Sequence, residues 1–232
     1  MPRIRNDEIY DATVCTIKDT ARRHMAAEGA SALSLRAIAR DLELTAPALY
    51  RYFPSRDALI TALIVDAFAA LADALEAAAH AHDTGDYIEQ ARQIFIVYRR
   101  WALDHPVDFA LIYGTPIPGY HAPSDVTVPQ VIRGFVVMLT ALMNAIHHGQ
   151  AHIPASYTPP PTIVHWLRDS IEENHYDGVT PEMFYFGLNM WTRLHGIIML
   201  ELFHHLQTPV GNVDDYYLWE MEACLHPLIA NP

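Results

Sequence analysis

SLRAIARDLELTAPALYRYFPSRD, residues 34–57, divides into two short helices joined by a tight turn. Leu35, Ile38, Ala39 and Leu42 recur at i, i+3, i+4 and i+7, which gives a first helix over residues 34–42 one apolar face. Arg36 and Arg40 fall on its other face. Glu43 and Leu44 make the turn. Thr45 can cap a second helix, its hydroxyl accepting a free first-turn N–H, while Pro47 sits where no N–H is needed. This helix reads APALYRYF and stops at Pro54. Leu49 and Phe53 share its inward face at i and i+4, whereas Ala46, Ala48, Tyr50, Arg51 and Tyr52 are left to meet solvent or a ligand. A helix this small and polar-edged is poor core. Two small residues followed by three that donate hydrogen bonds suit a helix pushed N-terminus first into a major groove of DNA.

At these residues the chain resembles the TetR family of one-component transcriptional repressors. Ser34, Arg36, Ile38, Ala39, Thr45, Leu49, Tyr50, Tyr52, Phe53, Ser55, Arg56 and Leu59 match the order of that family's DNA-binding segment, which ends in a Leu-Tyr-x-Tyr/His-Phe recognition helix and a following helix opened by a small polar residue and a base. The match extends back over a first helix expected at residues 7–28 and ending at Gly29, and it covers roughly the first quarter of the chain. Two positions depart from the pattern. Glu43 stands where the family usually places a turn glycine, so a residue with a side chain must take the left-handed backbone there. Ala46 stands where many members carry a base or a polar residue. Further on, WTRLHG at residues 191–196 looks like the Trp-x-x-x-His-Gly element of a TetR subgroup named for those three letters.

The resemblance implies an all-α protein with an N-terminal three-helix helix-turn-helix DNA-binding domain (residues 1–54) and a larger helical ligand-binding and dimerisation domain (residues 55–232). It implies a homodimer paired through the last two long helices, with Trp191, His195, Gly196, Met199 and Phe203 at the interface. A double-stranded, palindromic DNA operator and a small-molecule inducer held among the middle helices follow from it as well. The contacts carried onto this sequence place Thr45, Tyr50, Tyr52 and Arg56 on phosphates and Ala46, Ala48 and Arg51 nearest base edges, with Ser34 and Arg36 completing the DNA-binding set.

Gly196 inside a helix costs about 1 kcal/mol against alanine, so it needs a packing reason, for which close approach of another helix is the usual one. Leu194, Ile197, Ile198, Met199, Leu200, Leu202 and Phe203 make its helix apolar over more than one face, as expected of a helix buried on both sides. A two-fold dimer also reads two half-sites where one recognition helix touches only a few base pairs.

The net charge of −12 looks wrong for a DNA binder until its distribution is followed. Residues 1–60 hold nine Arg or Lys against eight acids, a balance of +1, and the remainder six against nineteen, or −13. One end can visit nucleic acid while the other is repelled from it. Arg3 and Arg5, ahead of the first helix, are expected to form an arm against the backbone or a minor groove. There is no leading apolar run with a cleavage site and no unbroken stretch of 18 or more apolar residues, so no membrane association and a cytoplasmic location are expected. The two cysteines, Cys15 and Cys224, are expected to be reduced and inert.

Beyond Phe53 the sequence predicts helix after helix, at residues 56–80, 86–103, 106–113, 128–148, 160–173, 181–206 and 214–229, with proline and glycine as punctuation. Tyr98, Trp101, Tyr113, Met138, Met143, Trp166 and Tyr185, with Asn189 and Arg193 as polar groups, are candidates for a ligand cavity; each alone also fits an ordinary helical core. An aromatic-rich, acidic domain suits an apolar or cationic inducer. Of the fourteen histidines, His147, His148 and His152 have ligand-like spacing, but no Cys or Asp/Glu cluster completes a tetrahedral set, and His195 reads better as an interhelical hydrogen bonder. No metal or cofactor is implied. The sequence has no Gly-x-Ser-x-Gly elbow, phosphate-cradling glycine loop or His-Glu-x-x-His, so an enzyme is not expected. The alternative kept beside the ligand-responsive regulator is an all-helical DNA-binding protein with a filled core, acting architecturally or through a protein partner.

Overall fold

The structure, a computed structural model, describes residues 2–229, with side chains from Asp7 onward. Eleven α-helices account for its elements: α1 (Pro2–Glu28), α2 (Leu35–Asp41), α3 (Ala46–Tyr50), α4 (Arg56–Ala81), α5 (Tyr87–Asp104), α6 (Pro106–Tyr113), α7 (Ser124–His147), α8 (Pro161–Glu173), α9 (Pro181–Leu202), α10 (Gln207–Val210) and α11 (Val213–Ile229). Two 3₁₀ turns, Ala30–Ala32 and Ala155–Tyr157, complete the fold, and no strand occurs among the described residues. The starts follow local chemistry. Ser34, Thr45, Ser55 and Thr180 each accept the N–H three residues on, at 3.4, 3.3, 3.0 and 3.3 Å, and Pro47, Pro106, Pro161 and Pro181 occupy first-turn positions.

Some ends differ from the expected ones. Helix α1 begins at Pro2, so the backbone of Arg3 and Arg5 belongs to it; their side chains, where the arm is expected, lie outside the described residues. Helix α3 is shorter than its pattern, with Arg51 as its C-cap and Tyr52 in a turn. Helix α7 starts upstream, at Ser124, because the Pro123 carbonyl accepts the N–H groups of Val126 and Thr127 and the Thr127 hydroxyl; Pro129 then removes only one bond near the start. Helix α9 stops at Leu202, where His204 turns left-handed (φ 59°) and the His205 N–H returns to the Leu200 carbonyl at 2.8 Å.

The chain forms two compact units, and the division is not the expected one after residue 54. One unit runs up to Ala70 and includes His105–Val131; the other holds Leu71–Asp104 and the chain from Ile132 on. In the first, Ile17, Ile38, Leu49, Leu59 and Leu63 are fully buried, and Val107, Leu111, Tyr113, Ile117 and Tyr120 pack against the same core. Arg22 pairs with Asp108 at 2.9 Å and the Thr61 and Tyr120 hydroxyls lie 2.9 Å apart, so contacts remote in sequence decide the boundary.

In the second unit the Tyr217 hydroxyl donates to the Phe95 carbonyl at 2.8 Å, and Arg99, over the Tyr217 ring, takes both oxygens of the buried Glu201. A Cβ on Gly187 of α9 would lie 3.0 Å from Leu139 of α7, so a small residue there lets the two helices close. Although neither holds an unbroken apolar run of 18 residues, α4 and α7 are each long and apolar enough to cross a membrane by length and composition. Core positions take up part of their apolar residues, among them Leu59, Leu63, Leu71 and Leu75 on α4 and Met138, Leu142 and Ala145 on α7, while Val126, Val128 and Val131 on α7 are exposed.

Candidate nucleic-acid interface

Helices α2 and α3 cross through a four-residue turn that needs one unusual backbone. Glu43 adopts φ 54°, the left-handed conformation expected there, and the Leu44 N–H closes on the Ala39 carbonyl at 2.8 Å. Leu49 anchors α3 from below, fully buried, with Phe53 buried behind it. What remains faces outward: Thr45, Tyr50 and Arg51 are exposed, and Ala46 and Ala48 half-buried. Arg36 and Arg51 make no ion pair among the described residues; Asp41, just before the turn, is engaged with His24 at 2.6 Å, and Glu43, in the turn itself, is exposed.

Ser34, Arg36, Tyr50 and Arg56 come together around a groove of about 470 Å³, closed by Leu33, Leu35, Pro54 and Ser55. Two helix starts, at Ser34 and Ser55, edge this groove, so backbone dipoles and the Arg36 cation favour an anion there. Arg56 has another occupation. Its guanidinium donates to the carbonyls of Ala30, Ser31 and Leu33 at 3.2, 2.9 and 3.1 Å, so it braces the groove wall through Nε and one terminal nitrogen. Tyr52 is half-buried, its ring tilted against Tyr10 of α1 with centroids 4.9 Å apart. Sequence reasoning missed Tyr10, which is distant in the chain and carries no local signal.

Comparison with known proteins matches this architecture over nearly the whole chain. A family described as bacterial regulatory proteins, tetR family, matches residues 17–63, and the tetracyclin repressor-like C-terminal domain matches residues 91–224. The HTH-type transcriptional regulator Rv1816 of Mycobacterium tuberculosis is 34% identical over 189 residues, covering 81% of this chain and 79% of its own. The chain belongs to the TetR family. Among solved structures, the TetR-family protein is similar to SCO4313, described as a regulatory protein, with TM-score 0.77 and 32% identity over 95% of this chain and 98% of that one. The TetR family regulator PfmR of Thermus thermophilus shares the fold, with TM-score 0.58 and 16% identity over 90% of this chain and 97% of the other. The chain is thus a transcriptional regulator with an N-terminal helix-turn-helix, and not an enzyme.

The second unit of this TetR-family chain distributes the expected ligand residues widely. Tyr98, Trp101 and Met138 are buried in closed core, and Met143 and Tyr185 pack around Leu139, Leu167 and Phe184. Tyr113 belongs to the first unit, against Phe68 and Phe109, and Trp166 is 66% exposed on α8. Asn189 and Arg193, of the set, line a cavity of about 360 Å³, together with Tyr157, Phe186, Met190, Thr192 and Cys224. Cys15 and Cys224 are both free, Cys15 exposed and Cys224 buried, and burial pushes the Cys224 thiol up.

The expected interface residues separate into two groups. Trp191 and His195 are used within the chain: the Tyr98 hydroxyl lies 2.7 Å from His195 Nδ1 and accepts from Trp191 Nε1 at 3.3 Å, and burial holds His195 below the usual imidazole range. This is the interhelical role expected of His195. Gly196, Met199 and Phe203 instead follow one another on an accessible face of α9, where Phe203 is 50% exposed. A Cβ on Gly196 would meet nothing within 4 Å among the described residues, so no described helix supplies its packing reason.

Proposed function

We propose that the protein is a homodimeric cytoplasmic repressor that binds a palindromic operator and is released from it by a small-molecule inducer. The outward face of α3 carries the reading: Ala46 and Ala48 permit close approach to a major groove, Arg51 reaches a base edge, and Thr45 and Tyr50 reach flanking phosphates. Ser34 and Arg36 hold a further phosphate in the adjoining groove, with Arg56 fixing its wall. Tyr52 stands at the margin of this surface.

Pairing is supported by an unpartnered apolar face on the last two long helices. Gly196, Met199, Leu200 and Phe203 line α9, and Leu218, Trp219 and Ile229 lie exposed on α11, with Trp219 at 74%. A large exposed aromatic in such a patch marks an interaction site, and a second copy supplies the same patch by symmetry. The Trp-x-x-x-His-Gly element serves both sides of α9, its Trp and His turned to Tyr98 and its Gly left open. An inducer releases DNA by binding the non-DNA conformation more tightly, by about 1–3 kcal/mol in typical coupled systems.

Selection of bound duplexes from a random pool tests the reading. An inverted repeat bound at two protomers per duplex is the expected result. Recovery of asymmetric sites, or of no sequence preference, would overturn it.

A further inference from the structure

The arginines of the second unit are not equivalent. Arg92 takes both oxygens of Glu222 and one of Glu89, Arg99 both of Glu201 and one of Asp214, and Arg133 both of Glu76 and one of Asp73. Arg193 meets a single carboxylate oxygen, of Glu220, and the Cys224 sulfur. A guanidinium carries five N–H donors in a planar fork, and Arg193 is held by one carboxylate where each of the other three is held by two, so it keeps donors for a further acceptor. Among the described residues it is also the one charged side chain on the wall of the 360 Å³ cavity between α9, α11 and the 155–157 turn.

The remainder of that wall fixes the kind of molecule it accepts. Phe186, Met190 and Cys224 are buried and form an apolar floor, and Tyr157 meets the Phe186 ring edge-on at 4.8 Å. The volume is at the lower end for small-molecule sites, which suits one or two rings. A cation would face Arg193, whose paired acid Glu220 is not among the wall residues, and a purely apolar compound would leave the spare donors unused.

We infer that this cavity is the inducer site and that it takes a small aromatic monocarboxylate, its carboxylate on Arg193 and its ring over Phe186 and Met190. The inference rests on the ligand-released regulator reading, and it replaces the apolar or cationic inducer that composition suggests. Thr192 and Arg193 stand one turn before Gly196 on the open face of α9, so an occupant sits beside the face proposed to pair two protomers.

Calorimetry and thermal unfolding of the full chain test it, with phenylacetate and 1-naphthylacetate as probes and phenylacetamide and phenethylamine as neutral and cationic counterparts. The carboxylates are expected to bind and, at roughly hundredfold excess over Kd, to raise the midpoint by several degrees, while the amide and amine do neither. Arg193→Met lowers carboxylate affinity at least about tenfold, and Arg193→Lys restores part of it, since the charge is kept and the fork lost. Thr192→Phe, which leaves Arg193 in place and fills the mouth, lowers it likewise. Equal binding of the amide, unchanged affinity in Arg193→Met, or no binding of either carboxylate overturns the site. Operator binding by the wild type without compound is measured separately. If it persists while the carboxylates fail, the site falls and the regulator stands; if no operator is found, the regulator reading falls and the binding data still judge the site.

Discussion

Tyr10 lies against Tyr52 with ring planes 30° apart, one residue on α1 and the other just past the last turn of α3. The Tyr52 N–H still reaches the Leu49 carbonyl at 2.9 Å, but no further helical turn follows to fix the side chain. The ring of Tyr10 supplies that constraint from a distant part of the chain.

Replacing Tyr10 with alanine is therefore expected to cost about 0.5–1.5 kcal/mol, the usual range for an aromatic pair. Operator affinity falls by up to roughly tenfold as Tyr52 loosens, whereas Tyr10→Phe, which keeps the ring, is near neutral. Fluorescence anisotropy on a selected operator checks both; equal affinity for the alanine variant would show that Tyr52 holds its place unaided.

Arg36 and Arg56 border the same groove and are expected to respond differently. Arg56→Ala leaves three carbonyls without their donor and destabilises the fold by roughly 1.5–3 kcal/mol, read as a lower urea midpoint. Arg36 is exposed with no ion pair among the described residues, so Arg36→Ala leaves stability within about 0.5 kcal/mol. It lowers affinity for all duplexes together and reduces the slope of log K against log salt by about one. Identical salt slopes for Arg36→Ala and wild type would remove Arg36 from the phosphate contacts.

These contrasts mark what sequence could supply. Ser34, Thr45 and Ser55 act on the N–H three residues ahead, and Glu43 bends its own backbone, so each is legible from a few neighbours. Arg56 bonds to carbonyls 23 to 26 residues back and Tyr113 joins a core built largely from residues before 70; no periodicity reports such pairings. Sequence groups Trp166 with a cavity because an aromatic residue in a helix does not reveal which way it points; the fold turns it to solvent. Arg193 can be picked out as a polar group near aromatics, but that it is held by one carboxylate becomes visible only beside Arg92, Arg99 and Arg133, each held by two.

His195 gives the second unit a pH dependence of definite sign. Its folded pKa is lowered by burial from the ordinary 6.5, so the folded state binds fewer protons than the unfolded one below that pH. The stabilisation is complete above about 6.5 and is lost as pH falls through the folded value. Between pH 7.5 and 5 the wild type is expected to lose more of its unfolding midpoint than His195→Gln, which cannot gain that proton. Parallel midpoint curves for the two proteins would contradict it.

Gly196 offers the most direct test of pairing, because its own chain has no use for the missing side chain. A Cβ there meets nothing within 4 Å, and exchanging a mid-helix glycine for arginine gains roughly 0.5–1 kcal/mol of helix propensity. Gly196→Arg is therefore tolerated by the monomer and should keep its helical content and the core of the first unit. In a dimer closed across α9 the same side chain is forced into an apolar contact beside Leu200 and Phe203, where a buried unpaired charge costs several kcal/mol. Sedimentation is expected to show a folded monomer, and gel-shift titration a loss of operator affinity of at least about a hundredfold with α2 and α3 untouched. A Gly196→Arg protein that sediments as a dimer and binds operator like the wild type would move the pairing surface off this face of α9.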